Sequence, residues 1–98
     1  MIDFDFQADL WLWKESGSWH FITVPEEPSS AIRNFAPEAK RGFGSVRVKV
    51  RIGETGWKTS VFPDKASGNY FLPIKKSVRE AEGLSAGSNA HIHLELLI

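Results

Sequence analysis

Polar and apolar residues alternate in several stretches of the chain. From Phe4 to Lys14, the residues Phe4, Phe6, Ala8, Leu10 and Leu12 fall on one side, and Asp5, Gln7, Asp9, Trp11 and Trp13 on the other. A period of two over that length predicts a long strand with one wet face. Trp11 and Trp13 then lie on the polar side. Either a loop or helix packs over them, or they form an exposed aromatic platform. Glu15-Ser16-Gly17-Ser18 is a turn, and Trp19 to Val24 a second strand, antiparallel to the first because the connection is so short. Pro25 ends it. Glu26-Glu27-Pro28-Ser29-Ser30 opens a helix with Ala31, Ile32 and Phe35 as its apolar side, and its leading acids suit the positive end of a helix dipole. Pro37 stops that helix.

The clearest strand is Ser45 to Ile52: Val46, Val48, Val50 and Ile52 face in, while Arg47, Lys49 and Arg51 face out. Gly53-Glu54-Thr55-Gly56 turns the chain, and Trp57 to Phe62 returns. Pro63 to Asn69 is a loop and Tyr70-Phe71-Leu72 a short strand stopped by Pro73. Lys75 to Glu82 is a helix of two turns with Val78, Ala81 and Leu84 inward and Gly83 near its C-cap. In the last strand Ala90, Ile92, Leu94 and Leu96 face in, and His91, His93 and Glu95 face out. The order β-β-α-β-β-β-α-β, with helices too short to cover a parallel sheet, predicts a mainly β fold. It is a small closed or double-split β-barrel of about six strands with two short helices. There is also an internal echo. Thr23-Val24-Pro25 precedes a helix containing Ile32-Arg33, and Leu72-Pro73 precedes one containing Val78-Arg79, which suggests a pseudo-two-fold barrel.

Ninety-eight residues form a single domain, 1–98, able to fold around one core without staples. The chain has no cysteine, which excludes disulfides, thiolate metal sites and cysteine nucleophiles. With no signal-like start and no long apolar run, the expected location is cytoplasmic, with no membrane partner. Net charge is zero but unevenly spread: residues 1–39 hold seven acids against two bases, and residues 40–98 ten bases against five acids.

Candidate chemistry centres on the bases. Lys75, Lys76 and Arg79 can share one face of the second helix, and Arg47, Lys49 and Arg51 form a stripe on one strand face, with Lys58 beside it. The alternatives are a solvated sheet face guarded against edge pairing, with Arg79 bonding carbonyls or an acid of the barrel, or an anion site suited to arginine's fork. Lys40-Arg41-Gly42-Phe43-Gly44 lacks the spacing of a phosphate-binding glycine loop. His91, His93 and Glu95 lie on one side of a strand about 6.5–7 Å apart, but no fourth ligand is evident and wet-face polarity explains them equally well. Ser60, His20 and Asp64 can be drawn as a triad without any local signature to support it. No catalytic residue, metal or cofactor is assigned.

Several segments resemble one bacterial family. They are Trp19-His20-Phe21-Ile22-Thr23-Val24-Pro25, Phe43-Gly44-Ser45-Val46-Arg47-Val48, Trp57-Lys58-Thr59-Ser60-Val61-Phe62-Pro63, and Tyr70 to Arg79 with Gly83-Leu84 and Gly87. Together they are similar to the DUF1905 family, a domain of unknown function. The resemblance implies a compact double-split β-barrel with two short helices, no known activity, and relatives sometimes fused to a domain associated with bacteriocin protection. Where such domains carry Asp after the last glycine, this chain has Ser88. More distantly, Leu72 to Arg79 with Gly83-Leu84 and Gly87 resembles the proline-lysine-arginine segment of swapped-hairpin AbrB-type regulators, which implies dimers that bind DNA with basic strands and loops. Zero net charge and an acidic N-terminal half argue against that role, because DNA affinity comes mainly from neutralised phosphates. The expectation is therefore a non-enzymatic β-barrel, monomer or homodimer. It binds a small anionic ligand or a protein partner through Arg47, Lys49, Arg51, Lys75, Lys76 and Arg79. A nucleic-acid-binding module is the second reading, and an enzyme with an unrecognised site the third.

Overall fold

A computed structural model describes residues 2–15, 17–35 and 44–97. The turn residue Ser16, the helix stop at Pro37 and the basic connector 40–43, with Phe43 of the family-like segment, lie outside the described residues. The elements are β1 (Asp3–Leu12), β2 (His20–Thr23), α1 (Glu26–Phe35), β3 (Val46–Ile52), β4 (Thr55–Pro63), β5 (Tyr70–Pro73), α2 (Lys76–Glu82) and β6 (Asn89–Leu96). They follow the order expected from the alternation. The strands close into an antiparallel barrel, β1-β2-β5-β4-β3-β6.

Closure depends on two strands that change partner along their length. β1 pairs with β6 from Asp3 to Asp9, then with β2 from Leu10 to Leu12. β4 pairs with β3 from Thr55 to Val61, then with β5 only at Phe62 and Pro63. Exchanging β1 with β4, β2 with β5, α1 with α2 and β3 with β6 leaves the set of pairings unchanged. The chain is therefore two β-β-α-β halves, each lending its last strand to the other. Between β2 and β5 the register places Ile22 opposite Leu72, Phe21 opposite Pro73 and Thr23 opposite Phe71. Val24 N donates to Tyr70 O as Ile74 N donates to His20 O. This confirms the internal echo and corrects its alignment. Ser29 N donates to Pro25 O as Arg79 N donates to Lys75 O, so Arg79 corresponds to Ser29, one helical turn before Arg33.

Inward positions of the strands fill the barrel. Val46, Val48, Val50 and Ile52 of β3, and Ala90, Ile92, Leu94 and Leu96 of β6, are all buried, as are Ile22, Leu72 and Val61. Ile32 of α1 and Val78 of α2 join this core. Two helix expectations are corrected. Phe35 is 53% exposed, because in α1 the inward position belongs to Ile32 and Ser29, one turn apart. Ala81 is exposed, because only Val78 of α2 points in and Leu84 packs from beyond the Gly83 cap. Gly83 takes the left-handed conformation that ends α2, with φ of 64°.

Ser29 is the one wholly buried polar residue among the described residues. Its Oγ donates to Val24 O at 2.9 Å and accepts from Tyr70 N at 3.0 Å. One hydroxyl thus ties α1 to the end of β2 and the start of β5. Replacing Ser29 with Ala leaves a buried N–H without a partner, a loss of about 1–3 kcal/mol. The expected outcome for Ser29→Ala is a melting temperature lower by roughly 4–8 °C per kcal/mol lost. Thermal denaturation followed by circular dichroism measures it, and an unchanged melting point would refute the role.

Candidate functional site: a basic cleft where two strands part

β4 and β5 share only two residue pairs before β5 ends at Pro73. Proline has a fixed φ and no N–H to extend a ladder, and beyond it the chain turns into α2. β4 instead runs on, paired to β3 alone. The space between them is a cleft of about 650 Å³. One wall is Trp57 to Ser60 and Phe62 of β4, backed by Arg47 of β3. The other is Pro73 to Lys76 and Arg79, and Ser18, Trp19 and His20 close the end. α2 is held over the barrel by Thr55, whose Oγ1 donates to Glu82 Oε2 at 2.6 Å.

Of the six bases expected to form an anion site, the cleft gathers Arg47, Lys75, Lys76 and Arg79 and adds Lys58. Lys49 and Arg51 are not in its lining. Both point outward on β3, Arg51 toward Glu54 O at 3.3 Å and Lys49 between Lys58 on β4 and Glu95 on β6. Among the described residues, no carboxylate lies within ion-pairing distance of Arg47, Lys58, Lys75, Lys76 or Arg79; the pairs present are His91 and His93 with Asp5, and His93 with Asp3. Among the described residues, Arg47 Nη1 approaches only Ser60 Oγ, at 3.4 Å.

Among the described residues, Arg79 bonds neither an acid nor a backbone carbonyl. Its Nη1 lies 2.8 Å from His20 Nδ1, and its Nε is buried without a hydrogen-bond partner among the described residues. His20 Nδ1 also lies 2.8 Å from Ser18 O. A guanidinium N–H needs a lone pair on Nδ1, whereas the carbonyl needs a proton there. The two contacts compete for Nδ1; when it carries the proton, Arg79 Nη1 has only the longer contact to Nε2, at 3.5 Å, so Arg79 is incompletely satisfied. At the equivalent position of α1 the short Ser29 side chain is fully hydrogen-bonded inside the core.

Lys58 stands directly opposite Lys49 in the β3–β4 ladder. Like charges so placed destabilise a sheet, by about 0.2–1 kcal/mol on the scale of cross-strand pairs. Lys58→Thr is expected to raise the midpoint of urea unfolding slightly. A lowered midpoint would contradict the strain assigned to this pair.

Aromatic rings continue from the cleft across the outer face. Trp19 stacks on Phe21 with centroids 5.9 Å apart, and Phe21 contacts Trp11, Trp13 and Phe71. Trp11 is half-buried by these neighbours and donates from Nε1 to Thr23 Oγ1 at 2.9 Å. Trp13, Trp19 and Phe62 are 45%, 56% and 43% exposed. Of the two rings considered for an exposed platform, Trp13 is 45% exposed, whereas Trp11 packs between Phe21 and Phe71.

The other candidate groupings take different partners. His91 and His93 turn to Asp5 of β1, with His91 Nε2 at 3.2 Å and His93 Nδ1 at 3.1 Å, while Glu95 faces Asp3 and Lys49 in register. No group of three or more His, Asp or Glu among the described residues is arranged to hold a metal ion. Asp64 does not join His20 and Ser60; its carboxylate accepts from Ser67 Oγ at 2.7 Å and from the amides of Ala66 and Ser67.

Hydrogen bonds from His91 first, and then His93, hold the exposed Asp5 below the usual carboxylate range. A depressed carboxyl stabilises the fold above its unfolded value, and the gain is lost as pH falls through the folded value. Asp5→Asn should therefore flatten the fall in melting temperature from about pH 4 downward. An acid limb identical to that of the unmodified chain would show that these contacts carry no linkage.

A family model, Domain of unknown function (DUF1905), matches residues 6–94. The chain belongs to the DUF1905 family. Comparison with curated proteins finds no match. The DUF1905 match begins within β1 and ends within β6, so it spans every residue lining the cleft. No helix among the described residues is long and apolar enough to cross a membrane.

Proposed function

We propose that this DUF1905 domain is a non-enzymatic binding module whose cleft between β4 and α2 takes a small anionic ligand. The observation that carries this reading is Arg79. It is a half-buried guanidinium with one buried nitrogen unpaired, set among four further cations that have no carboxylate partner among the described residues. A charge so placed gains most from an anion, because charge-assisted hydrogen bonds are stronger than neutral ones. An arriving anion takes the guanidinium and leaves His20 free to donate from Nδ1 to Ser18 O, so both competing contacts resolve together.

Binding rather than catalysis is supported by the lining. His20 and Ser60 both border the cleft, but no Asp or Glu among the described residues does. The His20 ring is directed to Arg79 and Ser18. A concave site, with Lys49 and Arg51 outside it, favours a small ligand over a duplex, which needs cations spread along the backbone it contacts.

Inorganic pyrophosphate at low salt tests the reading. At about 100 times its dissociation constant a ligand specific to the native state adds about 2.7 kcal/mol, a rise of about 10 °C or more for a domain of this size. Arg79→Gln is expected to weaken binding about tenfold or more, since a hydrogen bond to a charged group is worth about 1.5–3 kcal/mol. Arg51→Gln, outside the cleft, should leave it unchanged. Equal losses in the two variants would mean diffuse attraction and no site.

A further inference from the structure

One wall of the cleft is an unfinished sheet edge. Leu97 N donates to Arg47 O at 3.0 Å, so the backbone of Arg47 bonds toward β6, as do those of Lys49 and Arg51 at alternate places along β3. Their partners on β4, which are Ser60, Lys58 and Gly56, therefore form the non-hydrogen-bonded pairs of the β3–β4 ladder. The far end of β4 agrees. Asp64 N donates to Asn69 O at 2.8 Å, which puts Phe62, Ser60, Lys58 and Gly56 in the alternation that bonds away from β3. β5 takes up that alternation at Phe62 and no further. Among the described residues, no strand pairs with Ser60, Lys58 or Gly56 on this side, and Ser60 and Lys58 line the cleft. Their backbone N–H and C=O groups form a row about 13 Å long at the rise of a strand. Such a row accepts a further strand.

Two features fix what that strand is. β5 already occupies the edge from Phe62 onward, so an added strand stops where Pro73 stands. The end it brings there meets cations: Lys75 and Lys76 follow Pro73 along the same wall, with Arg79 and its buried Nε that lacks a partner among the described residues. A free carboxylate suits that place and a free amine does not. Lys58, at the middle of the edge, also disfavours β4 of a second copy, where like charges would meet. Resting on the anion-binding reading above, we infer that the anion is the C-terminal carboxylate of an extended peptide, which adds to β4 as a strand and ends at Arg79. The peptide runs parallel to β4, because its last residue lies at the Pro73 end. Its backbone supplies affinity along the edge, and its carboxylate sets polarity and register.

Affinity selection with the full chain at low salt tests this, using a synthetic library of N-acetylated random hexapeptides, half with a free C-terminus and half amidated. The selected peptides are expected to come from the free-acid half and to be displaced by pyrophosphate. For one selected peptide, measured by calorimetry, amidation should weaken binding about tenfold or more. Arg79→Gln should cost the free acid about as much and the amide little. Methylating the peptide nitrogens one at a time should weaken binding at every second residue only, as strand addition requires. Lys58→Pro and Lys58→Thr both remove the lysine charge, but only proline removes the edge N–H, at a position where no β3–β4 hydrogen bond is lost. Lys58→Pro should therefore bind the peptide several-fold more weakly than Lys58→Thr, with pyrophosphate bound alike by the two. The methylation series is independent of how any variant folds. Selection of amidated peptides as readily as free acids, or losses on methylation without a period of two, overturns the peptide strand. An empty selection beside intact pyrophosphate binding overturns it too and leaves the anion cleft standing. Failure of peptides and pyrophosphate together overturns both.

Discussion

The structure depends on a constraint of barrel closure: β1 and β4 must each serve two partners. A strand that leaves one neighbour for another opens a gap where the ladders part, and backbone groups at such a gap need an alternative to the sheet. At β4 the gap opens after two pairs shared with β5, which ends at Pro73, and α2 lies over it, anchored by the Thr55–Glu82 hydrogen bond. The position of the cleft, the direction from which its cations enter and the exposure of the β4 edge all follow from that one divergence.

The two halves meet the same topological problem differently. In α1 the residue one turn into the helix is Ser29, small enough to sink into the core and donate and accept at once. In α2 the matching residue is Arg79, too long and too charged to do so. Its guanidinium settles against His20, and one nitrogen is left buried without a partner among the described residues. Burying a charge without a partner is costly, and the opposed lysines 49 and 58 add to that cost on the neighbouring strand. The α1 end is thus optimised for packing. The α2 end keeps polar groups that the fold alone does not reward, which is the pattern expected where binding is at stake.

Much of the fold was legible because strand alternation is a local signal. Val46 to Ile52 and Ala90 to Leu96 read as buried rows directly, and the prolines at 25 and 73 mark the strand ends. Helix phase was harder over two or three turns: Ala31, Ile32 and Phe35 look like a stripe, but Ser29 takes the inward place that Phe35 seemed to claim. Four of the six candidate bases meet in the cleft because Arg47 and the α2 cations share a side of it. Lys49 and Arg51 looked equivalent to Arg47 because period two says which face a residue occupies and nothing of where along the strand a gap opens. Phe62 joined the site through the β4–β5 register, Trp57 through the β3–β4 register and His20 through the β2–β5 pairing, and Asp5 met His91 and His93 through the pairing of the first and last strands. Such registers link distant parts of the chain and are set by three-dimensional packing.

The internal two-fold also bears on how such a site can arise. If each half were a separate polypeptide forming a symmetric pair, every substitution would appear twice, and an arginine in place of the serine would open both ends of the core at once. Joined in one chain, the halves are free to specialise. One helix keeps the barrel shut, and the stability it supplies lets the other carry an unsatisfied charge at the opposite end. The asymmetry between Ser29 and Arg79 is thus a division of labour that a symmetric pair of identical halves would forbid.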